Sequence, residues 1–290
     1  MLAVDIGGTK MAAGIVDADG TILTRALTAT PRSDDPEAVF GALASVVGEV
    51  LETGPDARAC GVGCGGPMEA GKRNVSPLNI PAWRDFPLGD RLEALVGLPT
   101  TVDNDAKALA LGEGWLGAAA ERDDFLAMVV STGVGGGIVL DGRLLDGAGG
   151  NAGHIGHVVV EPDGRRCACG GRGCLEAEAS GTAIAAVTGR PPAEAGDGVR
   201  RRTGTLVGRA VASVANLLDL QLAVVAGSVA LGFADTFFAA AQAEIDARSR
   251  LTFSRGTRIV PGGLGPDGPL IGAAALAGRL RRRTSPVAAP

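Results

Sequence analysis

The chain has 290 residues, of which 46% are hydrophobic and 20% are charged, and its formal net charge is −5. This length favours two domains with a large buried core, and the acidic balance excludes the basic surface expected of a nucleic-acid-binding protein. No segment offers the roughly 18 apolar residues of a membrane span, and Asp5 interrupts the first apolar run too early for an export signal. We therefore expect a cytoplasmic protein without a nucleic-acid or membrane partner.

The N-terminal residues predict an antiparallel meander. Two apolar runs, 2–6 and 11–16, flank a Gly-Gly turn, and an Asp-Gly turn leads into a third run. The turn from Asp5 to Thr9 can offer backbone N–H groups to a phosphate, with Asp5 near enough to hold a magnesium ion through water. A Gly-Gly turn without any ligand explains this hairpin equally well, and the turn lacks the Gly-x4-Gly-Lys-Ser/Thr pattern of a P-loop.

Two segments rich in glycine and proline come next. Cys60 and Cys64 lie in a predicted strand and are interpreted as small buried hydrophobes, not as metal ligands. In segment 76–83, prolines at positions 77 and 81 predict an extended backbone. That conformation would fix the amide of Asn79, which both donates and accepts hydrogen bonds, for a hydroxylated ligand.

Residues 98–113 predict an extended segment that runs directly into a helix. Either Asp103 or Asp105 could serve as the N-cap of that helix, which is a common role for an aspartate. Alternatively, the strand–helix junction presents a carboxylate as a general base, since catalytic groups are common at such positions.

Residues 125–142 repeat the pattern of the N-terminal hairpin: a strand, a glycine-rich polar turn, a second strand and an Asp-Gly turn. The repetition suggests duplicated domains that face each other across a nucleotide cleft. A ligand-free hairpin is the less favoured alternative, because Ser131, Thr132 and several glycines cluster where the backbone must approach something closely.

A short segment of the chain predicts a zinc site. It contains both histidines of the protein, His154 and His157, and three of its five cysteines, Cys167, Cys169 and Cys174. Zinc binds four nitrogen or sulfur ligands in a tetrahedron, and such a thiolate site agrees with a reducing compartment. Unpaired thiols or a disulfide are the alternatives, and spacing alone does not decide which histidine binds the metal.

The C-terminal third is less informative. Residues 181–202 predict a loop, and residues 206–218 a helix that leads to a buried strand at 222–226. Further helices are expected at 233–247 and 271–280, and the Pro-rich tail 284–290 is expected to be disordered.

Together these motifs resemble the ROK family, named for repressors, open reading frames and kinases, within the actin-like sugar kinases. The resemblance covers nearly the whole chain, and the spacing of the zinc segment is its most specific part. It rests on residues 5–10, Asn79, residues 104–105, residues 132–137, His157 with the three cysteines, residues 173–176 and residues 226–229.

The resemblance implies an α/β, two-lobed, actin-like (ribonuclease H-like) sugar kinase fold with a small zinc-stabilised loop. A small N-terminal domain, 1–105, would be completed by a C-terminal helix at about 271–283. A larger domain, 106–270, would carry the zinc loop 154–176. The family also implies ATP with Mg²⁺ as cosubstrate, a structural Zn²⁺, a small sugar or sugar-like substrate, and a homo-oligomer, either dimer or tetramer.

The resemblance also implies roles for individual residues. Asp105 would be the catalytic base that accepts the proton of the sugar's primary hydroxyl. His157 would bind zinc together with Cys167, Cys169 and Cys174. The substrate pocket would consist of Gly65, Asn79, Asn104, Asp105, His154, His157 and Glu176. ATP and magnesium would be bound by Asp5, Gly7, Gly8, Thr9, Lys10, Thr132, Gly133, Gly135, Gly227 and Ser228.

One position departs from the family's glucokinases, which have a glutamate where this chain has His154. A carboxylate only accepts hydrogen bonds, whereas a neutral imidazole donates and accepts, and the motif 153–157 looks like that of bacterial N-acetylmannosamine kinases. An N-acyl hexosamine is therefore slightly preferred as substrate, with glucose, an aminosugar or a sugar-like cyclitol as alternatives. A non-catalytic sugar-binding regulator is the alternative from another class. The helix-turn-helix domain of family repressors is not expected, because little chain precedes Asp5.

Overall fold

The computed structural model describes residues 1–69 and 71–284, and the chain divides into two compact units. Unit 1 consists of Met1–Leu116, Asp146–Ala152 and the residues from Pro266 onward, and unit 2 consists of Gly117–Leu145 and Gly153–Gly265. Each unit contains a five-stranded sheet with helices packed against it, as the predicted α/β class requires. This division differs from the predicted boundary at residue 105.

The elements alternate between strands and helices along most of the chain. In chain order the strands are β1 Leu2–Ile6, β2 Lys10–Val16, β3 Ile22–Ala29, β4 Cys60–Cys64, β5 Thr100–Asn104, β6 Phe125–Val130, β7 Val134–Leu140, β8 Arg143–Leu144, β9 Leu222–Ala226 and β10 Arg258–Pro261. The helices are α1 Pro36–Thr53, α2 Leu88–Val96, α3 Asp105–Leu116, α4 Leu175–Ala179, α5 Gly181–Thr188, α6 Asp197–Leu218, α7 Ser228–Arg248 and α8 Gly268–Thr284.

The two sheets share one topology. In unit 1 the strand order is β3-β2-β1-β4-β5, and in unit 2 it is β8-β7-β6-β9-β10 read in the corresponding direction. In both, the first three strands form the antiparallel meander. The fourth strand pairs in parallel with the first, and the fifth pairs in parallel with the fourth. Both antiparallel hairpins predicted from the sequence are confirmed, and so is their repetition.

Helix α1 shows how sequence sets a boundary in unit 1. Its N-cap Asp35 accepts a hydrogen bond from the backbone N–H of Glu37 (2.9 Å), and Pro36 occupies the first turn, where no N–H is needed. The buried side chains recur at helical spacing and pack on the β2–β3 part of the sheet. They are Val39, Phe40, Leu43, Val46, Val47 and Val50.

Backbone contacts without intervening side chains explain why α3 belongs to unit 1. A Cβ atom added to Gly272 of α8 would lie 2.6 Å from the backbone oxygen of Ala108 in α3. On the same side of the sheet, a Cβ atom on Gly61 of β4 would lie 1.9 Å from the oxygen of Ala273. Helix α8 thus packs closely against both β4 and α3.

In unit 2, α6 and α7 pack in the same manner. Cβ atoms on Gly204 and Gly208 of α6 would each lie 2.3 Å from a backbone oxygen of α7, that of Phe237 or Ala241. The predicted helix 206–218 and strand 222–226 are confirmed, and the predicted helix 233–247 lies within the longer α7.

The predicted loop at 181–202 is wrong over most of its length. Helix α5 begins at Gly181 because the hydroxyl of Ser180 accepts a hydrogen bond from Ala183 N–H (3.1 Å), and helix α6 already begins at Asp197. Only residues 189–196 separate the two helices, because Gly189, in the left-handed conformation (φ 68°), ends α5.

The last helix, α8, extends beyond the predicted 271–280 at both ends. The tail expected to be disordered lies, from residue 285, outside the described residues. Among the residues that the structure describes, no helix combines the length and apolar character that crossing a bilayer requires.

Gly61→Ala should lower the free energy of unfolding by about 1–3 kcal/mol, because the new methyl group would overlap the backbone of α8. The matched control is Gly41→Ala, an interior position of α1 with open space around the added methyl, which should stabilise by about 0.5–1 kcal/mol. Urea unfolding curves measure both changes. Equal stabilities of the two variants would contradict the close packing of β4 on α8.

Candidate active site

The turn between β1 and β2 is held in one conformation by hydrogen bonds. Gly7 N–H donates to Lys10 O (3.0 Å), and the hydroxyl of Thr30 donates to Gly7 O (2.6 Å). Thr9 and Lys10 are exposed, whereas Gly8 is half-buried. A turn that is held by such hydrogen bonds and is exposed at Thr9 and Lys10 can present backbone N–H groups to an anion.

Two carboxylates approach each other beside this turn. A Cβ atom on Gly63 of β4 would lie 3.5 Å from the Cα of Asp105 and 3.7 Å from Oδ1 of Asp5. Burial raises the pKa of Asp5 to about 7, helped by the negative charge of Asp105 and opposed by Lys10. Desolvation by the surrounding protein also raises the pKa of Asp105, against hydrogen bonds from backbone N–H groups including that of Ala106, although its side chain reaches solvent. Such a pair can hold a divalent cation or accept a proton near neutral pH.

The side chain of Asn79 lies between two glycines of unit 1. A Cβ atom on Gly8 would lie 2.7 Å from the Cβ of Asn79, and one on Gly65 would lie 3.2 Å from its Oδ1. The predicted extended backbone is wrong here, because Ile80 N–H donates to Pro77 O (3.1 Å) and closes a turn. Asparagine is favoured in such turns, and the turn delivers its amide to the space between the two glycines.

Asn104 and Asp105 occupy the junction of β5 and α3. The N–H of Ala106 donates to Oδ1 of Asn104 (3.0 Å) and to Oδ1 of Asp105 (2.9 Å), so both side chains are tied to the first turn of the helix. The capping role considered for Asp103 falls to Asn104 instead, since Asp103 contacts two lysines.

Those two lysines form a charged cluster that sequence reasoning missed. Lys72 donates to Asp103 (2.7 Å) and to Asp146 (2.6 Å), and Lys107 donates to Asp146 (2.7 Å) and to Gly150 O (2.9 Å). Lys107 and Asp103 are buried although both belong to residue types that are rarely buried. The one available signal was the position of Lys107 within a run of alanine and leucine on α3.

The hairpin of unit 2 has its own fixed turn. Ser131 N–H donates to Gly133 O (2.9 Å), and the hydroxyl groups of Ser131 and Ser228 lie 2.9 Å apart. A Cβ atom on Gly227, whose φ is +101°, would lie 2.4 Å from Val130 O, so the start of α7 lies directly against β6. Predicted residues from two separate segments are therefore brought together.

A cavity of about 630 Å³ opens beside this hairpin within unit 2. The start of α5 forms one of its walls, because Gly181 N–H donates to Ser131 O (2.7 Å) and the Thr182 hydroxyl donates to Thr132 O (2.9 Å). Sequence reasoning missed this wall because it assigned residues 181–202 to a loop. The lining includes Thr132, Thr182, Ala185, Arg190, Pro192 and Ser228.

The segment with the two histidines packs directly on the hairpin of unit 2. Cβ atoms on Gly153 and Gly156 would lie 2.6 Å and 2.2 Å from backbone oxygens of β7. Residues 155–157 form a 3-10 turn, in which His157 N–H donates to His154 O (3.0 Å). The two imidazole rings are nearly parallel, at an interplanar angle of 25° and a centroid distance of 6.1 Å.

Four side chains form the candidate metal centre, and their ligand atoms all lie within 4.8 Å of one another. The Nδ1 of His157 is 3.7 Å from Sγ of Cys167, and the Sγ atoms of Cys169 and Cys174 are also 3.7 Å apart. A tetrahedral zinc ion with Zn–S bonds of about 2.3 Å places its sulfur ligands about 3.7 Å apart. The donor set and the spacing therefore fit zinc. His157 would bind the ion through Nδ1, and its Nε2 would not be a zinc ligand.

Glu176 connects the metal segment to the hairpin of unit 2. It follows Cys174 after one residue, and its Oε2 accepts a hydrogen bond from Val134 N–H (2.9 Å). A Cβ atom on Gly133 would lie 2.9 Å from the same oxygen. This hydrogen bond therefore joins the segment that carries the metal ligands, residues 157–174, to the turn between β6 and β7.

Comparison with known proteins gives consistent matches. The model of the ROK family matches residues 1–279. The N-acetylmannosamine kinase of Escherichia fergusonii is 40% identical over 246 residues, covering 79% of this chain and 83% of that protein. The glucokinase of Thermotoga maritima is 42% identical over 186 residues, covering 63% and 58%. A ROK family glucokinase from Streptomyces griseus, solved with glucose and AMPPNP, has a TM-score of 0.84 at 32% identity, covering 96% of this chain and 99% of that one.

Purified, reduced protein should contain about one zinc ion per chain, because four ligand atoms are in place. Cys174→Ser should lower both the zinc content and the midpoint of thermal unfolding. Cys60→Ala is the matched control: this buried cysteine lies outside the cluster, and the variant should keep its zinc. Elemental analysis together with thermal unfolding tests the site, and full zinc content in Cys174→Ser would count against it.

Asp5→Asn should stabilise the protein in magnesium-free buffer by an amount that grows from about pH 4 to about pH 7 and then levels off. The folded pKa of Asp5 is about 7 and its usual value is 3.8, so the stability that is fully present below pH 3.8 is lost as the pH rises to the folded pKa. Asp56→Asn, at an exposed position, is the control. Thermal unfolding at several pH values provides the measurement, and a pH-independent gain would refute the assignment.

Proposed function

The chain belongs to the ROK family and is an ATP-dependent sugar kinase, and we propose that it phosphorylates the primary hydroxyl of an N-acyl hexosamine such as N-acetylmannosamine. The observation that carries the proposal is the strand–helix junction that presents Asn104 and Asp105 beside the carboxylate of Asp5. Phosphoryl transfer depends on positioning and charge neutralisation more than on covalent chemistry, and these residues supply both.

In the proposed reaction Asp105 is the catalytic base. Its pKa is raised by desolvation, which brings its proton affinity closer to that needed at neutral pH. It accepts the proton of the primary hydroxyl as the oxygen attacks the γ-phosphorus, and the bond from that phosphorus to the β,γ-bridging oxygen breaks, leaving ADP. Asn104, tied to the same helical turn, binds a neighbouring hydroxyl.

The two hairpins hold the nucleotide. Asp5 would hold magnesium, which would neutralise phosphate charge and offset the burial and the like-charge repulsion from Asp105 that raise the pKa of this carboxyl. The cavity beside Ser228 offers space for the nucleoside within unit 2. The proposed nucleotide and magnesium ligands are Asp5, Gly7, Gly8, Thr9, Lys10, Thr132, Gly133, Gly135, Gly227 and Ser228.

We assign sugar-binding groups to each unit. Unit 1 contributes Gly65, Asn79 and Asn104, and the packing of Asn79 between two glycines supports its role as a fixed donor and acceptor. Unit 2 contributes His154, His157 and Glu176. Zinc at His157 and the three cysteines would order this segment and would not activate water.

His154 supports the choice of an N-acyl hexosamine. An imidazole N–H can donate to an amide oxygen, which a glutamate at this position could not do. The 40% identity to an N-acetylmannosamine kinase supports the same substrate. Glucose is the second candidate, supported by the glucokinase of Thermotoga maritima at 42% identity.

We also propose a cellular compartment and an oligomeric state for the protein. A site built from three cysteine thiolates and one histidine suits a reducing compartment, so we place the protein in the cytoplasm. We propose a homo-oligomer, a dimer or a tetramer.

A coupled ADP-release assay over N-acetylmannosamine, N-acetylglucosamine, glucosamine, glucose, mannose and cyclitols should give the highest kcat/KM with an N-acyl hexosamine. His154→Glu should shift kcat/KM toward glucose by about tenfold or more, since one hydrogen-bond partner is exchanged. Equal turnover of glucose by the wild type and His154→Glu, with none of any N-acetyl sugar, would refute the ranking.

Asp105→Asn is the catalytically impaired control variant for this assay. It keeps the side-chain shape but cannot accept the proton, so kcat should fall by about a hundredfold to ten-thousandfold. An Asp105→Asn variant with full activity would show that another group is the base.

A further inference from the structure

Residues Asp146–Ala152 form a segment that we name the strap. It is the only part of unit 1 that lies between residues 117 and 265. Its sequence, Asp-Gly-Ala-Gly-Gly-Asn-Ala, contains no large apolar side chain, and its three glycines increase the entropy lost on ordering. Burial of apolar surface therefore contributes little to holding the strap, and polar contacts must do so.

Three groups of polar contacts hold it. Asp146 accepts from Lys72 and Lys107, and Gly150 O accepts from Lys107 (2.9 Å). Asn151 exchanges two hydrogen bonds with the backbone of Met68, at 2.9 and 3.2 Å. Ala152 N–H donates to Asp146 O (2.9 Å), which closes the strap on itself.

The burial of Lys107 indicates that its ammonium group has a structural role. Only 1% of its side chain is exposed, and it lies between two alanines on α3, where an apolar residue would need no charged partner. An ammonium group in such a position costs several kcal/mol in desolvation unless its partners compensate. Those partners are Asp146, Gly150 O and, at 3.5 Å, Asp103.

The same cluster touches the proposed catalytic junction. Asp103, which is 3% exposed and paired with Lys72, accepts the N–H of Asn104 at 2.8 Å. Lys107 follows Asp105 by two positions on α3. In the other direction along the chain, the strap ends one residue before Gly153, which begins the segment carrying His154 and His157.

We propose that Lys107 and Lys72 are positioning residues, which clasp the strap onto the strand–helix junction and fix the origin of the segment that carries His154. The proposal rests on the proposed function of Asp105 and His154. Neither lysine touches the reacting atoms: they act through Asp103 and through the strap. A displacement of about 1 Å in groups that position a substrate can cost about a hundredfold in catalytic efficiency. Because the strap leads into the segment that carries His154, we expect this loss to appear as a raised KM for the sugar and not for ATP.

The experiment compares Lys107→Met, Asp146→Asn and the double variant Lys107→Met/Asp146→Leu. The double variant removes one positive and one negative charge and leaves the Lys72–Asp103 pair intact (2.7 Å), so the charge balance of the cluster is retained. Replacing an ion pair with apolar groups is often neutral for stability. The double variant thus separates loss of the clasp from loss of folding.

We expect the double variant to unfold within a few degrees of the wild type but to show a KM for the sugar raised about tenfold, with the KM for ATP changed less than twofold. Peptides that cover residues 146–152 should exchange amide hydrogens faster in all three variants. Asp90→Asn is the control, since it removes a partner of Arg73 in unit 1 without touching the strap, and Arg73 keeps Glu93. It should leave both KM values unchanged.

Wild-type KM for the sugar in the folded double variant would overturn the proposal, as would unchanged hydrogen exchange of the strap. If the wild type phosphorylates no acceptor, the proposed function fails, and the exchange measurement still tests the strap. If Lys107→Met does not fold, the double variant and Asp146→Asn decide the outcome, because Lys107 and Lys72 each retain an acidic neighbour in Asp146→Asn.

Discussion

Asp5 and Asp105 lie on either side of Gly63, and desolvation raises the pKa of both carboxyl groups. Two like charges in such a position are unfavourable until a cation and a hydroxyl group approach them. The rest of unit 1 holds them there. The hairpin fixes Asp5, the absence of a side chain at Gly63 leaves room between them, and the start of α3 fixes Asp105. The protein therefore gives up stability at the position where the proposed reaction needs a carboxylate.

Unit 2 positions its turns by contact of backbone with backbone, as α8 contacts β4 and α3 in unit 1. Gly153 and Gly156 allow the histidine segment to lie on β7, and Gly227 allows α7 to begin against β6. Each contact excludes even a methyl group, so these turns are positioned by main-chain atoms rather than by flexible side chains. The 46 glycines of the chain are explained in part by this requirement.

Much of this could be predicted from the sequence where local signals are strong. Alternating strands and Asp-Gly turns predicted both hairpins, and the Cys and His spacing predicted the metal cluster, because ligands that are close in sequence need little tertiary information. The ROK family and its α/β fold, inferred from the motifs, are confirmed. The start of α5 was missed, since a serine cap after Ala179 resembles a turn signal. The Lys107 cluster was also missed, because it joins segments far apart in sequence, and no local pattern reports such pairing.

Helix α8 completes unit 1 from the far end of the chain. Until residues 268–284 have been synthesised, the face of β4 at Gly61 and the side of α3 at Ala108 have no partner helix. Unit 2, which ends at Gly265, is complete before that point. During synthesis, the residues of unit 1 that are made first therefore lack their contacts with α8 until that helix has emerged.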